Sequence, residues 1–346
     1  MHVYFQSKPQ IKNNARATRF STFTTTTAFV LFLLNCLNVF SQNTIKFEHL
    51  TTENGLSQSD VNTIFQDKDG FMWLGTHDGL NRYDGYNFKV FKPNSKNKES
   101  ISSNLIWKII DDKNGDLWIG TTGGGLSYFN RETETFINFK HDSKNDNSIK
   151  SNYITLLFRD SSNRLWVGTS EGLDVIDLNK PIDSISVQHF NIYQNNIEPA
   201  SNRNNVNSIF EDSMQQIWIG KENGLSKLSR DKNGEPYFQP MNNHINLPSC
   251  NVKTITEDSY GNLILGTSKG MFRFCPNDKS SEKIQLIHQG LFTIIASNKD
   301  QIWAGTNNGL FEFSNKLGEN NIPKLVNTYK YDPKNPTYSL SKNTIK

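Results

Sequence analysis

Phe71-Met72-Trp73-Leu74-Gly75-Thr76-His77-Asp78-Gly79-Leu80 is the stretch that decides the fold, because the chain repeats it five more times with small changes. The copies read Leu117-Trp118-Ile119-Gly120-Thr121, Leu165-Trp166-Val167-Gly168-Thr169, Ile217-Trp218-Ile219-Gly220-Lys221, Leu263-Ile264-Leu265-Gly266-Thr267 and Ile302-Trp303-Ala304-Gly305-Thr306. Between their first glycines (75, 120, 168, 220, 266 and 305) the intervals are 45, 48, 52, 46 and 39 residues. A motif returning at such a period marks a repeat architecture.

Around the first copy the chain alternates β-prone runs with turn residues. Val61-Asn-Thr-Ile-Phe-Gln66 reads as a strand and Asp67-Lys-Asp-Gly70 as a turn. Residues 71–76 form a second strand, His77-Asp78-Gly79 a hairpin, residues 80–83 a third strand, and residues 86–91 a fourth after Asp84-Gly85. Four short antiparallel strands per unit predict an all-β fold, a β-propeller of four-stranded blades.

The recurring positions have structural reasons. Asp67, Asp112, Asp160, Asp212 and Asp258 stand six residues before the Trp column, with Ser297 in the last copy. Such a side chain accepts hydrogen bonds from turn amides just beyond it. Gly70, Gly115 and Gly261 supply positive φ there; Asn163 does so at some cost, and Gln215 is a poor substitute. The Trp column is expected between blades, and the Gly two residues on gives the adjacent sheet room to approach. Gly79, Gly172, Gly224, Gly270 and Gly309 close the second hairpin.

Ser339-Leu-Ser-Lys-Asn-Thr-Ile-Lys346 parallels Ser100-Ile-Ser-Ser-Asn-Leu-Ile-Trp107, so a seventh unit begins at the end of the chain. Ile45-Lys-Phe-Glu-His-Leu50 parallels a fourth strand and would close the ring from the N-terminal side, leaving no open edge. The expectation is a seven-bladed design with six complete blades and a truncated seventh, residues 43–346.

Residues 1–42 read as a leader. Lys8, Lys12, Arg16 and Arg19 precede an apolar run of 13 residues (28–40), with Ser41-Gln42 as the cleavage point. Thirteen residues fall short of the roughly 20 that span a bilayer, and an uncleaved anchor is the alternative. A net charge of +3 gives no reason to expect contact with nucleic acid. Cys36 lies in the leader; Cys250 and Cys275 offer one disulfide at most and no zinc spacing.

Trp-[Ile/Leu/Val]-Gly-Thr-x-x-Gly-Leu, preceded by Asp-x-x-Gly-x-[Leu/Met]-Trp, resembles the two-component regulator propeller repeat. Phe47-Glu-His-Leu-Thr-Thr-Glu-Asn-Gly-Leu-Ser57 resembles the start of periplasmic sensors in hybrid two-component systems. The resemblance covers residues 44–346. It implies a first propeller followed, outside this sequence, by a second propeller, a β-sandwich, a transmembrane helix and a histidine kinase. It also implies sensing of glycan breakdown products and control of polysaccharide-utilisation genes, with a homodimer as a further possibility. Ile264 in place of Trp and Lys221 in place of Thr depart from the pattern.

No catalytic constellation is expected, and no cofactor. The seven histidines lack metal spacing, and the Asp-x-Asp-Gly and Asp-x-Asn-Gly segments lack the Glu that closes an EF-hand, so turn chemistry accounts for them. A sialidase hairpin fails at Lys68 and Lys113. Function is therefore expected on loops: the fourth-to-first-strand connections (residues 92–104, 141–152 and 191–205), on the face of the Thr-x-x-Gly turns. Candidate ligand residues are Trp107, His77, Asp78, the run Gly123-Gly124-Gly125, Glu171, Lys221 and Glu222. Trp107 takes a position held elsewhere by Asn62, Thr155, Asn207, Lys253 and Phe292, so it stands outside the framework and could stack a sugar. A role plugging the channel or packing between blades is narrowly preferred for it, and a solvated surface for the charged turn residues. Competing functions are a secreted propeller enzyme (lyase or glycosidase) and a protein-interaction propeller. Each would end differently beyond Lys346.

Overall fold

The computed structural model describes residues 47–190, 206–243, 247–276, 281–284, 294–297, 301–317 and 323–342. The leader and Phe292 lie outside them. Six four-stranded antiparallel sheets follow one another along the chain, each with its strands in sequence order. Blade 1 consists of Val61–Gln66, Met72–Thr76, Gly79–Tyr83 and Phe88–Phe91. The first strands of blades 2 to 6 are Ile106–Asp111, Ile154–Arg159, Val206–Glu211, Val252–Glu257 and Ile294–Ser297. These first strands lie side by side from blade to blade, which places them innermost.

The Trp column packs between blades as the sequence predicts. Trp166 joins Leu173, Val175 and Phe190 of blade 3 to Val206, Ile209, Ile219 and Phe238 of blade 4. Trp73 does the same between blades 1 and 2, Trp118 between 2 and 3, and Trp218 between 4 and 5. Each ring buries about 150–250 Å². At about 25 cal/mol per Å² that is a gross 4–6 kcal/mol per indole, set against the entropy of ordering. Where Ile264 replaces Trp, it packs with Ile302, Ala304, Phe311 and Phe313 of blade 6. A Cβ at Gly75 would come within 2.6 Å of Ile106 Cγ2, and one at Gly120 within 2.6 Å of Ile154 Cγ2, so the next blade's first strand closes onto these glycines.

The recurring Asp does more than brace a turn. Asp67 Oδ1 accepts from the amides of Asp69 and Phe71, both at 3.0 Å, while its Oδ2 accepts the Trp73 indole N–H at 2.7 Å. Asp160–Trp166 and Asp212–Trp218 repeat the indole bond at 2.8 Å. In blades 1, 3 and 4 the pair ties the hairpin to the ring buried beneath it, whereas in blade 2 the Trp118 indole N–H has no partner and Asp112 takes turn amides alone. Asn163 (φ 59°) and Gln215 (φ 61°) hold the left-handed turn position that glycine fills at 70, 115 and 261.

The residues expected to carry the seventh blade's first strand (343–346) and the start of the closing strand (45–46) lie outside the described residues; of the rest, residues 47–50 hold a lone bridge at Glu48. The two ends nonetheless meet: the Phe47 amide donates to Thr337 O at 3.0 Å, Phe47 and Tyr329 pack edge to face, and Leu340 is fully buried. Cys250 and Cys275 are unpaired, so the possible disulfide is absent. No helix among the described residues is long and apolar enough to cross a membrane.

Candidate functional site

Pairing of Val61 with Thr76 puts the start of each first strand, the second hairpin and the fourth-to-first connection at one end of the blade. The register of every first strand of blades 1 to 5 slips there by one residue. The extra residue is Asn62, Trp107, Thr155, Asn207 or Lys253. These are β-bulges, which leave one residue unpaired and re-aim its side chain. The variable position noticed in the sequence is thus a structural device repeated around the inner mouth. Trp107 at this site is 40% exposed and belongs to none of the interblade clusters. Of the two structural roles expected for it, packing between blades is not the one it takes.

Backbone hydrogen bonds stitch the turns and connections of blades 1 to 3 into a continuous arc. The Gly79 amide donates to Asn104 O (2.8 Å), Thr122 to Leu105 O (2.9 Å), Gly123 and Gly125 to Asn152 O (2.9 and 3.0 Å), and Ser170 to Tyr153 O (3.0 Å). A lone bridge joins Thr122 to Tyr153. The arc brings together His77, Asp78, Trp107, Gly123 and Glu171. The side chains of His77 and Glu171 are exposed. Asp78 is committed to Lys92 at 2.6 Å, and that hydrogen bond, chief among its contacts, holds its carboxyl below the usual range.

Gly124 is buried against Ser102, Ser103 and Thr121, and its neighbours Gly123 and Gly125 spend their amides on Asn152. The triple glycine therefore docks the next connection. Lys221 and Glu222 sit at the same end of blade 4, beyond the arc. With Lys221 where other blades have Thr, the hairpin clamp made by Thr76 Oγ1 to Gly79 O is replaced. Asn242 instead accepts from the Leu225 amide (3.0 Å) and donates to Asn223 O (2.7 Å). Lys221 is half-buried, and desolvation pushes its ammonium pKa down.

Tyr153 was missed by sequence reasoning. It is 55% exposed on the arc, one residue before its first strand, where other blades carry Asp60, Leu105 and Asn251. The signal was available: an aromatic ring where neighbouring copies are mostly polar. Trp107 and Tyr153 thus present two exposed aromatic faces on adjacent blades, flanked by carboxylates, amides and hydroxyls. Such a surface binds polar ligands that have apolar faces. Among the described residues no group of three or more His, Cys, Asp or Glu is placed to hold a metal.

Comparison with known proteins agrees with this architecture. The family model described as "two component regulator propeller" matches residues 55–78, 100–123 and 148–171, and these segments are repeats of that family. Histidine kinase P4 of Formosa agariphila is 43% identical over 74 residues, which is 21% of this chain and 5% of that protein. Among solved structures, the extracellular domain of the hybrid two component system BT3049 from B. thetaiotaomicron is 28% identical with a TM-score of 0.67, over 86% of this chain and 38% of that one. The corresponding domain of BT4673 from the same organism shares the fold at 23% identity and a TM-score of 0.58, over 79% of this chain and 38% of that one. The chain therefore spans well under half the length of these three relatives.

Proposed function

We propose that this chain is the ligand-sensing first propeller of a hybrid two-component histidine kinase, exported through residues 1–42 to the periplasm. It detects a glycan-derived oligosaccharide on the arc of blades 1 to 3. The kinase, a second propeller, a β-sandwich and a transmembrane helix belong to the parent protein, which relays the signal by phosphotransfer to genes for polysaccharide use. This segment itself carries out no chemistry.

The observation that carries the ligand face is the pair of exposed aromatic rings, Trp107 and Tyr153, held on a stitched rigid rim. The family repeats and the likeness to an extracellular sensor domain support the signalling role. A calorimetric screen of oligosaccharides against the protein tests the reading. A ligand should emerge whose affinity falls about tenfold or more in Trp107→Ala and in Tyr153→Ala, tenfold corresponding to about 1.4 kcal/mol. Unchanged affinity in both variants would remove the arc as the site.

A further inference from the structure

The inner wall of the ring is charged unevenly from end to end. Among the residues that open the first strands of blades 1 to 5 (61–64, 106–109, 154–157, 206–209 and 252–255), those that carry charge are Lys108 and Lys253. The carboxylates of the same strands stand at the far end and are committed there. Asp111 meets Arg159 at 3.3 Å, Glu211 accepts from the Ser161 amide and hydroxyl (2.6 and 2.7 Å), and Glu257 from those of Ser213 (2.9 and 2.8 Å). At the mouth end, Asp78, Glu171 and Glu222 lie farther out, on the second hairpins, and Asp78 is held by Lys92. Asp60, at the entry to blade 1, is also engaged. Among the described residues the charge on the throat wall is therefore positive, and a wall of one sign focuses its field on a ligand of the other.

Lys108 lies beside Trp107 and faces the same way. Ile109 packs with Trp73 on the blade 1 side, and Ile110 with Trp118 and Ile154 on the blade 3 side. Side chains alternate along a strand, so Lys108 shares the blade 3 side with Ile110. The bulge residues lean toward the next blade as well: Asn62 Nδ2 donates to Ile106 O at 3.0 Å, and Asn207 Nδ2 to Asn251 Oδ1 at 2.8 Å. The bulge of blade 2 thus sets Trp107 and Lys108 together, toward the strand that Tyr153 introduces.

Nothing in the protein answers this ammonium. Lys108 is half-buried and has neither a carboxylate nor a hydrogen-bond acceptor among the described residues. Desolvation alone acts on it and pushes its pKa down. The equivalent position holds Thr63, Leu156, Ser208 and Thr254 in blades 1, 3, 4 and 5, so the fold has no need of a cation there. A charge kept where burial disfavours it and no partner offsets it marks a place that receives a charged ligand. Lys253, the bulge residue of blade 5, likewise has no partner among the described residues.

We propose that the ligand of the arc carries an anionic group, a carboxylate or a sulfate ester on the sugar, which enters the throat and pairs with Lys108, while Lys253 attracts it from blade 5. This rests on the arc as the ligand face and adds the charge that its ligand must bear.

Calorimetry with trigalacturonate and a sulfated galactan tetrasaccharide tests it, each beside its uncharged counterpart, the full methyl ester and the desulfated galactan. At least one acidic probe is expected to bind, more weakly as salt rises, and at least about tenfold more tightly than its counterpart. Lys108→Thr, which installs the residue of blades 1 and 5, should lose about tenfold or more for that probe, and Lys253→Gln about threefold. Should Lys108→Thr melt early, Lys108→Met decides by the same measure. Binding of neither acidic probe, equal binding of the uncharged counterparts, or full affinity in the deciding variant would each overturn the proposal. Equal binding of charged and uncharged probes that is lost in Trp107→Ala refutes the throat and keeps the arc. Affinity lost in Lys108→Thr but intact in Trp107→Ala and Tyr153→Ala refutes the arc and keeps Lys108 as the partner of the anion.

Discussion

Blades 4 and 5 solve one problem in two ways. Both bury an aspartate at the base of the first hairpin, Asp212 and Asp258. In blade 4, Oδ1 takes the amides of Met214 and Gln216, and Oδ2 takes the Trp218 indole. In blade 5, where Ile264 has no donor, Asn262 Nδ2 bonds both carboxylate oxygens at 3.0 Å and Arg273 Nε reaches Oδ2 at 3.2 Å. The turn amides are kept in both. The aspartate thus belongs to the turn, and the donor to its second oxygen is replaceable where the carboxylate is buried; Asp112 of blade 2, half-buried, keeps its turn amides with no donor to the second oxygen. Blade 6 varies further: Ser297 stands for Asp, and the Trp303 indole turns to Gln301 Oε1 at 3.4 Å.

The largest effect should come from Asp212→Ala, which strips an acceptor from two amides and an indole at once. A loss of about 3–4 kcal/mol is expected from denaturant unfolding; a loss near zero would break the account of both blades. Trp218→Phe keeps most of the packing but leaves Asp212 Oδ2 without its donor, at a cost of about 2 kcal/mol. The equivalent trimming in blade 5, Ile264→Val, should cost only about 1 kcal/mol, since Asn262 and Arg273 still serve the carboxylate. If the two costs prove equal, the indole hydrogen bond contributes nothing beyond packing.

Gln215→Gly makes the blade 4 turn like that of blade 5, where Gly261 has φ 79°. It should stabilise by about 0.5–1 kcal/mol, seen as a rise in melting temperature.

The smallest effect contrasts first strands. Lys108 pairs with Gly120 at the register position that Thr254 holds opposite Gly266. Burial pushes the Lys108 ammonium below its ordinary 10.5. The unfolded chain therefore binds that proton more readily, and stability rises as pH climbs from the lowered value toward 10.5. Lys108→Thr should raise the melting temperature at neutral pH, by a margin that shrinks toward pH 10.5. A margin independent of pH would show that the gain has another source.

Sequence made the blades legible because their signals are local. Strand alternation, the Asp and Gly of each hairpin and the spacing of the Trp column all lie within a few residues of one another, and Val61–Gln66 and Thr135–Phe139 fall where the pattern puts them. The indole-to-aspartate bond was not legible, since it depends on side-chain direction across a folded hairpin. Nor was the bulge, which shows only when partner strands are counted against each other. The end of the blades that carries the long connections could be read from turn order, and Trp107 stood out by its departure from the other copies. The tight fit of Gly124 was not legible, because an extra glycine looks the same in sequence whether it frees a loop or fits a tight contact.

The bulge in each first strand has a further consequence. Asn62, Trp107, Thr155, Asn207 and Lys253 each sit outside the hydrogen-bonded ladder, so five positions around one mouth are released from the constraints on the rest of the sheet. They act as interchangeable bits on a fixed handle. Randomising those codons alone should vary the chemistry of this mouth while the same Asp, Trp and Gly fold every variant.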